Sequence, residues 1–460
     1  MPMMPIRLAR RFAAKSSIRA GLNPIAKKGR LKGVASRDLA LAVIETLEKR
    51  AYLSGVTFLG TKGGLALDDL GSFSAPGGVG AIAAADFNGD GKTDLVTATV
   101  NGTVGISLGN GDGTFGPVNS FSDGLDVGDI ASVVVANLNG FPDIIAADGT
   151  NKISILLNSG TGTFPNISQI TFERNIDALA VGDLTGDGKP DLVVGYQFGG
   201  IAVLLNNGTG GFNSPSFYSV GDCTVTSLSI ADVKGDNRPD IIIGDANGGI
   251  YDLGQQESPG TFNSEAAQVY FDSSNTNPQV ATGDLNGDGY SDIAFTTPSG
   301  VMTALSQGSD GFQEPVNVLE ATGITSIALA HMGGDGNLDL VVGNSQTSTV
   351  RVLLGNGDGT FTSEYSKTVA AGSEPVGIVA AQFTGDGRTD LGVVNQGSNN
   401  VTVVLNTSAG VVFNPATNLT TENGADSVAV ADVNNDGNMD VIVADEQAGT
   451  VQVFLGEGDG

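Results

Sequence analysis

A short acidic segment recurs along most of the chain at a nearly constant interval, and this repetition is the strongest constraint on the fold. Its clearest copy runs from Asp86 to Asp94 and reads Asp-Phe-Asn-Gly-Asp-Gly-Lys-Thr-Asp. The copies are 46 to 52 residues apart and begin at Asp86, Asn137, Asp183, Asp232, Asp284, His331, Gln382 and Asp432. Regular self-similarity at this period indicates an array of equivalent structural units.

Each unit has the same order of strand-like segments around its acidic loop. A strand of small residues precedes the loop, and a β-branched strand follows it, as from Asp240 to Gly244. A short turn leads to a third strand, as from Thr349 to Leu354, and a Gly-rich turn ending in Phe leads to a weaker fourth strand. Four strands in about 40 to 50 residues is the size of one β-propeller blade. The sequence therefore predicts an all-β fold, a β-propeller of four-stranded blades.

The acidic loop has the composition of a site for a hard cation. Oxygen-bearing side chains occupy positions 1, 3, 5 and 9, and Gly91 at position 6 permits the sharp turn that would let early and late ligands face one ion. Ca²⁺ takes about six to eight oxygen ligands, to which the backbone carbonyl of position 7 is a natural addition. The loop is not an EF-hand, because position 12 is Thr97 and both flanks read as strands.

Four loops keep all of the expected oxygen atoms, and we expect them to bind Ca²⁺. With position 7 contributing its carbonyl oxygen, the expected ligands are Asp86, Asn88, Asp90, Lys92 and Asp94; Asp183, Thr185, Asp187, Lys189 and Asp191; Asp284, Asn286, Asp288, Tyr290 and Asp292; and Asp432, Asn434, Asp436, Asn438 and Asp440. The alternative is that these residues only form Asx-type turns. That alternative does not account for carboxylates at fixed positions 1, 5 and 9.

The other four loops have lost ligands. In the fourth loop, Lys234 occupies position 3 and Asn237 replaces the glycine. A Lys ammonium that stands in for the cation is one interpretation of this loop, and a bound metal ion is the alternative. The sixth loop begins with His331 and the seventh with Gln382 in place of the first Asp. The second loop, which begins at Asn137, is two residues shorter, and we expect it to bind nothing.

These motifs resemble the FG-GAP/VCBS repeat family, which includes the propellers of integrin α-subunits. The resemblance rests on the Asp-x-Asn-Gly-Asp-Gly-x-x-Asp loop and on the Gly-Asp-Gly-Thr-Phe turn, and it covers residues 54–460. It implies a propeller whose acidic loops bind Ca²⁺ within the blades. Many bacterial members are exported surface proteins, so the resemblance also implies an extracellular or cell-surface location.

The two ends of the repeat region determine the expected number of blades. Residues 54–79 resemble the third and fourth strands of a unit without its first half, and the last unit stops inside its Gly-rich turn. A propeller ring must close, since otherwise two sheet edges stay exposed. We favour eight blades, with an N-terminal strand completing the last one. Seven blades with a surplus unit, as in the integrin relatives, and a truncated chain are the alternatives.

Charge is distributed unevenly along the chain. The net charge is −28, yet residues 1–53 carry 12 Lys and Arg against 3 Asp and Glu. We predict a basic disordered segment at 1–35 and a short amphipathic helix at 36–53. The stretch from Glu45 to Gly55 resembles the N-terminal segment of many exported planctomycete proteins. A tether helix without a targeting role, or a basic segment for nucleic acid or anionic lipid, is the alternative.

Composition narrows the classes of function. The acidic body argues against nucleic acid as a partner because phosphates would be repelled, and no apolar run is long enough to span a membrane. The chain has one histidine, His331 in a degenerate loop, so we do not expect an enzyme. We expect a monomeric, exported, calcium-binding propeller that acts in binding, adhesion or structural display toward a protein or glycan. A lectin is the narrower alternative, and a hydrolase with paired carboxylates is the less favoured one.

Overall fold

Nearly all of the described residues lie in strands or in the turns that join them. The computed structural model describes residues 69–74, 79–99, 103–111, 114–122, 132–147, 150–221, 224–274, 277–370, 374–381, 388–398, 400–406, 417–421, 425–445 and 447–456. Two short 3₁₀ helices occur there, at Gly308–Asp310 and Gln396–Ser398. No helix in these ranges has the length and hydrophobicity to cross a bilayer. The predicted segments at 1–35 and 36–53 lie outside the described residues.

The strands of the described residues form eight four-stranded antiparallel sheets, which are the blades. In chain order the strands are β1 (Asp69–Ser74); β2 (Val79–Ala85), β3 (Asp94–Thr99), β4 (Thr103–Ser107) and β5 (Asn119–Ser122) in blade 1; β6 (Ser132–Asn137), β7 (Pro142–Ala147), β8 (Lys152–Leu157) and β9 (Asn166–Thr171) in blade 2; β10 (Ile176–Gly182), β11 (Asp191–Tyr196), β12 (Ile201–Leu204) and β13 (Ser216–Tyr218) in blade 3; and β14 (Val225–Ala231), β15 (Asp240–Asp245), β16 (Gly249–Leu253) and β17 (Ala267–Phe271) in blade 4. They continue with β18 (Val280–Gly283), β19 (Asp292–Thr297), β20 (Gly300–Ala304) and β21 (Val316–Glu320) in blade 5; β22 (Ile324–Ala330), β23 (Asp339–Asn344), β24 (Thr349–Gly355) and β25 (Phe361–Ala370) in blade 6; β26 (Pro375–Ala381), β27 (Asp390–Asn395), β28 (Asn400–Val404) and β29 (Thr417–Thr420) in blade 7; and β30 (Ala425–Ala431), β31 (Asp440–Asp445) and β32 (Thr450–Phe454) in blade 8.

Each acidic loop joins the first and second strands of its blade. In blade 1, Ala85 at the end of β2 pairs with Asp94 at the start of β3, and Ala431 pairs with Asp440 in the same way in blade 8. The turn requires left-handed backbone at position 6, where Gly91 has a φ of 84°, a conformation that glycine adopts at little cost. Because the strands alternate in direction, the acidic loops and the Gly-rich turns lie at the same end of the blades. The turns between second and third strands lie at the other end.

The second strands are buried because neighbouring blades cover both of their faces. Strands β11, β15 and β19 are buried at every position, so they read as continuous apolar runs rather than as alternating patterns. Fourth strands such as β9 are largely exposed. The core lies between blades, as in the cluster that joins Leu184 and Val203 of blade 3 to Leu228 and Ile241 of blade 4.

Within the part of the chain that the structure describes, Gly-rich turns pack against the acidic loop of the preceding blade, as blades 2 and 4 show. Phe164 of blade 2 is buried against Phe87 of blade 1, with the two ring centroids 5.7 Å apart. Asn158 Nδ2 donates a hydrogen bond to the Phe87 carbonyl oxygen at 2.7 Å. Gln255 Nε2 of blade 4 donates in the same way to the Leu184 carbonyl oxygen of blade 3, at 3.0 Å. The acidic loop of one blade is therefore held in place by contacts with the Gly-rich turn of the next blade.

The ring closes between β1 and the last repeat. Strand β1 pairs antiparallel with β32, placing Phe73 opposite Val451 and completing the sheet β1-β32-β31-β30. Blades 1 and 8 also pack together, since Ile82 and Leu95 share a hydrophobic cluster with Ile442. The predicted closing strand is thus present, and the eight-bladed arrangement is confirmed for the described residues.

Candidate metal centres

The four intact acidic loops share one pattern of hydrogen bonds. The Asp86 carboxylate accepts hydrogen bonds from the backbone amides of positions 4 and 6 at 2.7 and 2.9 Å. Asn88 Oδ1 accepts from the Asp90 amide at 2.8 Å, and Asp90 Oδ1 accepts from the Lys92 amide at 2.9 Å. The position 1 and position 5 bonds recur in the other intact loops, including the one with Thr185 at position 3. These are the bonds of Asx-type turns, so that role is present in the structure.

The aspartate at position 9 has a structural role that the sequence did not reveal. Asp94 Oδ2 accepts a hydrogen bond from the Phe87 amide, and its Oδ1 accepts one from the Gly109 amide, both at 2.8 Å. One buried carboxylate thus joins the start of the loop to the end of the third strand, an arrangement that we call the aspartate clasp. The same pair of bonds forms around Asp191, Asp292 and Asp440.

The aspartate clasp persists where other predicted ligands are lost. Asp143 of the second loop accepts a hydrogen bond from the Leu138 amide at 2.8 Å, and Asp339 of the sixth loop accepts one from the Met332 amide at 2.6 Å. All eight repeats have Asp at this position. The sequence therefore carried a signal for the clasp, namely that position 9 is constant among the repeats while positions 1 and 3 vary.

The sixth and seventh loops have lost early ligands, as their sequences indicate. His331 Nδ1 lies 2.8 Å from the Asn337 carbonyl oxygen, so the ring contacts its own loop. Gln382 and Asp386 lie outside the described residues. Asp390 Oδ1 accepts a hydrogen bond from the Asn406 amide at 2.8 Å, which is the third-strand half of the clasp.

The buried aspartates of the intact loops have raised pKa values. The pKa of Asp94, Asp191 and Asp292 rises to about 6, and that of Asp440 to about 7. The main cause is burial, which disfavours the charged carboxylate; the amide hydrogen bonds oppose it, and the carboxylates of positions 1 and 5 add to it. The loops of blades 5 and 8 contain no Lys or Arg. Their carboxylates therefore repel one another without a positive charge inside the loop.

The residue types of the intact loops fit Ca²⁺, although the side chains face the loop's own amides. Carboxylate, carboxamide and carbonyl oxygens are the ligands that Ca²⁺ takes, and a carboxylate oxygen with one hydrogen bond retains a further lone pair. Among the described residues, no three acidic, histidine or cysteine side chains are arranged, as they stand, to hold a metal ion. Binding would therefore require the half-buried carboxylate of position 1 and the exposed carboxylate of position 5 to turn, while position 9 stays anchored.

In the fourth loop, the ammonium group of Lys234 pairs with the position 9 aspartate, Asp240, whereas Asp236 at position 5 pairs with Arg238. Lys234 Nζ lies 2.9 Å from Asp240 Oδ2 and 2.8 Å from Asp252 Oδ2. Asp240 Oδ1 keeps one clasp bond, from the Gln255 amide at 2.6 Å. Burial opposes the charged form of Lys234, but Asp252 and Asp240 outweigh this and raise its pKa. The lysine therefore stays charged and places one positive charge between two buried carboxylates.

Two further replacements in blade 4 accompany Lys234. Asp252 on the third strand pairs with Ile242, at a position where the other blades have Ile, Val or Thr. Gly254 replaces a leucine found in every other repeat, and a Cβ there would stand 2.8 Å from Lys234 Nζ. Lys234 supplies an ammonium group, Asp252 supplies a second carboxylate, and Gly254 leaves space beside the ammonium group. The strand register brings them together, which the sequence pattern alone did not indicate.

Comparison with known families covers more than half of the chain. A family model described as an FG-GAP-like repeat matches six segments in two overlapping series, at residues 86–140, 136–194 and 183–243 and at residues 284–342, 331–393 and 383–443. No curated protein matches the sequence significantly.

Several solved structures, one of them described as a propeller, are similar to this chain at low sequence identity. An Agrocybe aegerita lectin, described as recognising non-reducing terminal N-acetylglucosamine, has a TM-score of 0.50 and 20% identity, and the match covers 74% of this chain and 94% of that chain. Sqt1 of Saccharomyces cerevisiae has a TM-score of 0.59 at 13% identity, covering 85% and 99%. The Dos1 propeller has a TM-score of 0.57 at 12% identity, covering 84% and 94%. At these identities the similarity concerns the fold alone.

Proposed function

The chain belongs to the FG-GAP-like repeat proteins, and on that premise we propose that it is a calcium-stabilised binding module whose rigid ring presents loops to a protein or glycan. The proposal includes an extracellular setting, where Ca²⁺ is plentiful enough for weak sites. Within it, the blades form a non-catalytic scaffold, and the ligand meets the loops that vary between repeats.

The observation that carries the proposal is the contrast between the fourth loop and the intact loops. In the fourth loop, Lys234 Nζ lies within 2.9 Å of two buried carboxylates. The loops of blades 5 and 8 hold the same three aspartates without any basic residue. If the loops of blades 5 and 8 bind a cation from solution, all three loops contain a positive charge: the Lys234 ammonium in blade 4 and a bound ion in blades 5 and 8.

Within this proposal, each part of the loop has a separate task. The aspartate clasp fixes the loop to the third strand whether or not a cation is present. The carboxylates of positions 1 and 5 and the side chain of position 3 bind the ion. Bound Ca²⁺ would neutralise the loop and add stability by mass action, about 2.7 kcal/mol per site at a hundredfold excess over Kd. Because the turn of the next blade contacts the loop, ordering one loop also holds its neighbour.

Thermal unfolding of the full chain tests the proposal, first in EDTA and then in millimolar Ca²⁺, with calorimetric titration for stoichiometry. We expect a large rise in melting temperature and about four bound ions, one for each intact loop. A matched variant replaces the exposed position 5 aspartates by asparagine (Asp90→Asn, Asp187→Asn, Asp288→Asn and Asp436→Asn). It should melt like the wild type in EDTA and lose most of the Ca²⁺-dependent rise. Absence of both the shift and the heat of binding in the wild type would exclude calcium stabilisation.

A glycan ligand is the second candidate, and exposed aromatic residues favour it. Phe198 is 62% exposed with a left-handed φ of 56°, and Phe217 on β13 is 66% exposed. Exposed aromatic faces offer stacking surfaces for sugar rings, and one structural neighbour is a lectin. A glycan array probed with wild type and Phe217→Ala tests this candidate. Specific binding that the variant loses would support it, and an array without signal would leave protein binding as the proposed role.

A further inference from the structure

A cavity of about 240 Å³ lies between blades 4 and 5. Asp252 and residues 267–269 line it from blade 4, and residues 311–315 line it from blade 5. Val269 and Phe312 supply apolar lining, and Glu314 is exposed at the rim. Its size suits a small ligand or one side chain of a larger ligand.

One residue that lines the cavity, Asp252, has a buried carboxylate oxygen without a hydrogen-bond partner. Asp252 is only 7% exposed. Its Oδ2 contacts Lys234 Nζ at 2.8 Å, whereas its Oδ1 is buried without a partner. A buried polar atom left unsatisfied is costly, and such atoms in native structures require a reason. A donor group on a bound ligand would satisfy Oδ1.

The charges around the cavity do not balance. Lys234 contacts both Asp240 and Asp252, so one ammonium faces two carboxylates. Glu314 adds a further negative charge, and the lining residues include no Lys or Arg. The position equivalent to Asp252 is Ile, Val or Thr in the other blades. The excess negative charge is therefore particular to this junction between blades.

We propose that this cavity binds a small organic cation, an ammonium or guanidinium group. Asp252 accepts a hydrogen bond from it at the buried end, and Glu314 supplies the second negative charge at the rim. The hydroxyl of a sugar could satisfy Oδ1, but it would leave the charge unbalanced, which is why the cation is the favoured ligand. This inference goes beyond the proposed function and holds whether or not the acidic loops bind calcium.

A pair of probes of equal shape tests the requirement for charge. Methylguanidinium and N-methylurea are titrated onto the full chain in EDTA at fixed ionic strength, and binding is followed by saturation-transfer NMR. We expect saturable binding of methylguanidinium and none of N-methylurea. Equal binding of the two probes, or no binding of either, would overturn the proposal. Because EDTA removes calcium, these outcomes say nothing about the acidic loops, and the two proposals can fail separately.

Three variants test the assigned residues. Asp252→Asn should weaken methylguanidinium binding by about tenfold or more, because a buried charge partner is lost. Glu314→Gln should weaken it by about threefold, as expected for a partly exposed charge. Glu320→Gln, at the far end of β21, should leave it unchanged. Circular dichroism checks the fold; if Asp252→Asn does not fold, equal affinity of the Glu314→Gln and Glu320→Gln variants would overturn the proposal.

Discussion

The acidic loops of blades 4 and 5 follow one another in the chain and differ in how their charge is balanced. Both have aspartate at positions 1, 5 and 9. In blade 5, Asp292 accepts hydrogen bonds from two backbone amides, and the loop contains no basic residue. In blade 4, Lys234 lies between Asp240 and Asp252. The turn of blade 4 therefore contains a positive charge of its own and the turn of blade 5 does not. Under the proposed function, only the turn of blade 5 would take a cation from solution.

The greatest loss of stability is expected from removing what most loops share, the aspartate clasp. Asp292→Ala leaves the Leu285 and Ser306 amides without their acceptor. Each unsatisfied buried donor costs roughly 1–3 kcal/mol, so we expect a loss of about 4 kcal/mol. Urea unfolding in EDTA measures it, with Asp288→Ala at the exposed position 5 as the matched control. Equal midpoints for the two variants would contradict a structural role that position 9 holds without metal.

A smaller loss is expected from removing the internal ammonium of blade 4. Lys234→Met leaves Asp240 and Asp252 buried without a positive partner, which should cost about 3 kcal/mol. The control is Lys189→Met, because Lys189 forms an exposed pair with Asp187 at 2.5 Å and should matter little. Urea unfolding in EDTA measures both variants. The internal-cation interpretation fails if they are equally stable.

Converting blade 4 to the pattern of its neighbours should exchange the ammonium for an ion. The triple variant Lys234→Asn, Asp252→Val and Gly254→Leu restores the residue types of the other blades. Calorimetric titration should then find one additional Ca²⁺, worth about 2.7 kcal/mol at a hundredfold excess over Kd. The matched control is Asp252→Val alone with Lys234 retained. A folded triple variant with unchanged stoichiometry would show that the loop is not the site.

The smallest expected effect concerns the affinity of one intact loop. Lys189 Nζ contacts Asp187 Oδ2 at 2.5 Å in blade 3, where it would compete with a bound cation. Lys189→Asn should therefore tighten Ca²⁺ binding by about threefold at low ionic strength, and salt should reduce the gain. Chelator competition measures both affinities. The control is Arg174→Gln, in the connection between β9 and β10 at the end of the blades opposite to the acidic loops. An equal gain in affinity for that variant would show that the effect comes from net charge alone.

The architecture was predictable because each repeat carries complete local signals. The repeat period predicted the blades, and the Gly and Asp positions predicted the turns. The half units at the two ends of the repeat region predicted the closing strand, which is observed as β1 paired with β32. The ammonium of Lys234 was also predictable, since it replaces a ligand within the same nine residues. Local patterns of this kind need no knowledge of strand register.

The features that the sequence did not predict depend on contacts between residues of different strands. Asp94 is a predicted metal ligand, with a role in an Asx-type turn as the alternative; neither prediction includes its hydrogen bond with the Gly109 amide beyond the third strand. Asp252 meets Lys234 only because β15 and β16 pair in one register, and the cavity beside it needs blade 5 to form its other wall. The available signal was Asp252, a charged residue in an otherwise apolar third strand, and it lies outside the nine-residue motif that contains its partner Lys234.

The pairing of β1 with β32 also sets a timescale. Phe73 and Val451 lie at opposite ends of the repeat region, and contacts between such distant residues form slowly because a long loop must first close. Once the strand is in place, the ring has no terminal blade from which unfolding could spread, unlike an open array of repeats. The closing strand should therefore make both the last folding step and the first unfolding step slow, so that the lifetime of the native ring exceeds what its equilibrium stability alone would give.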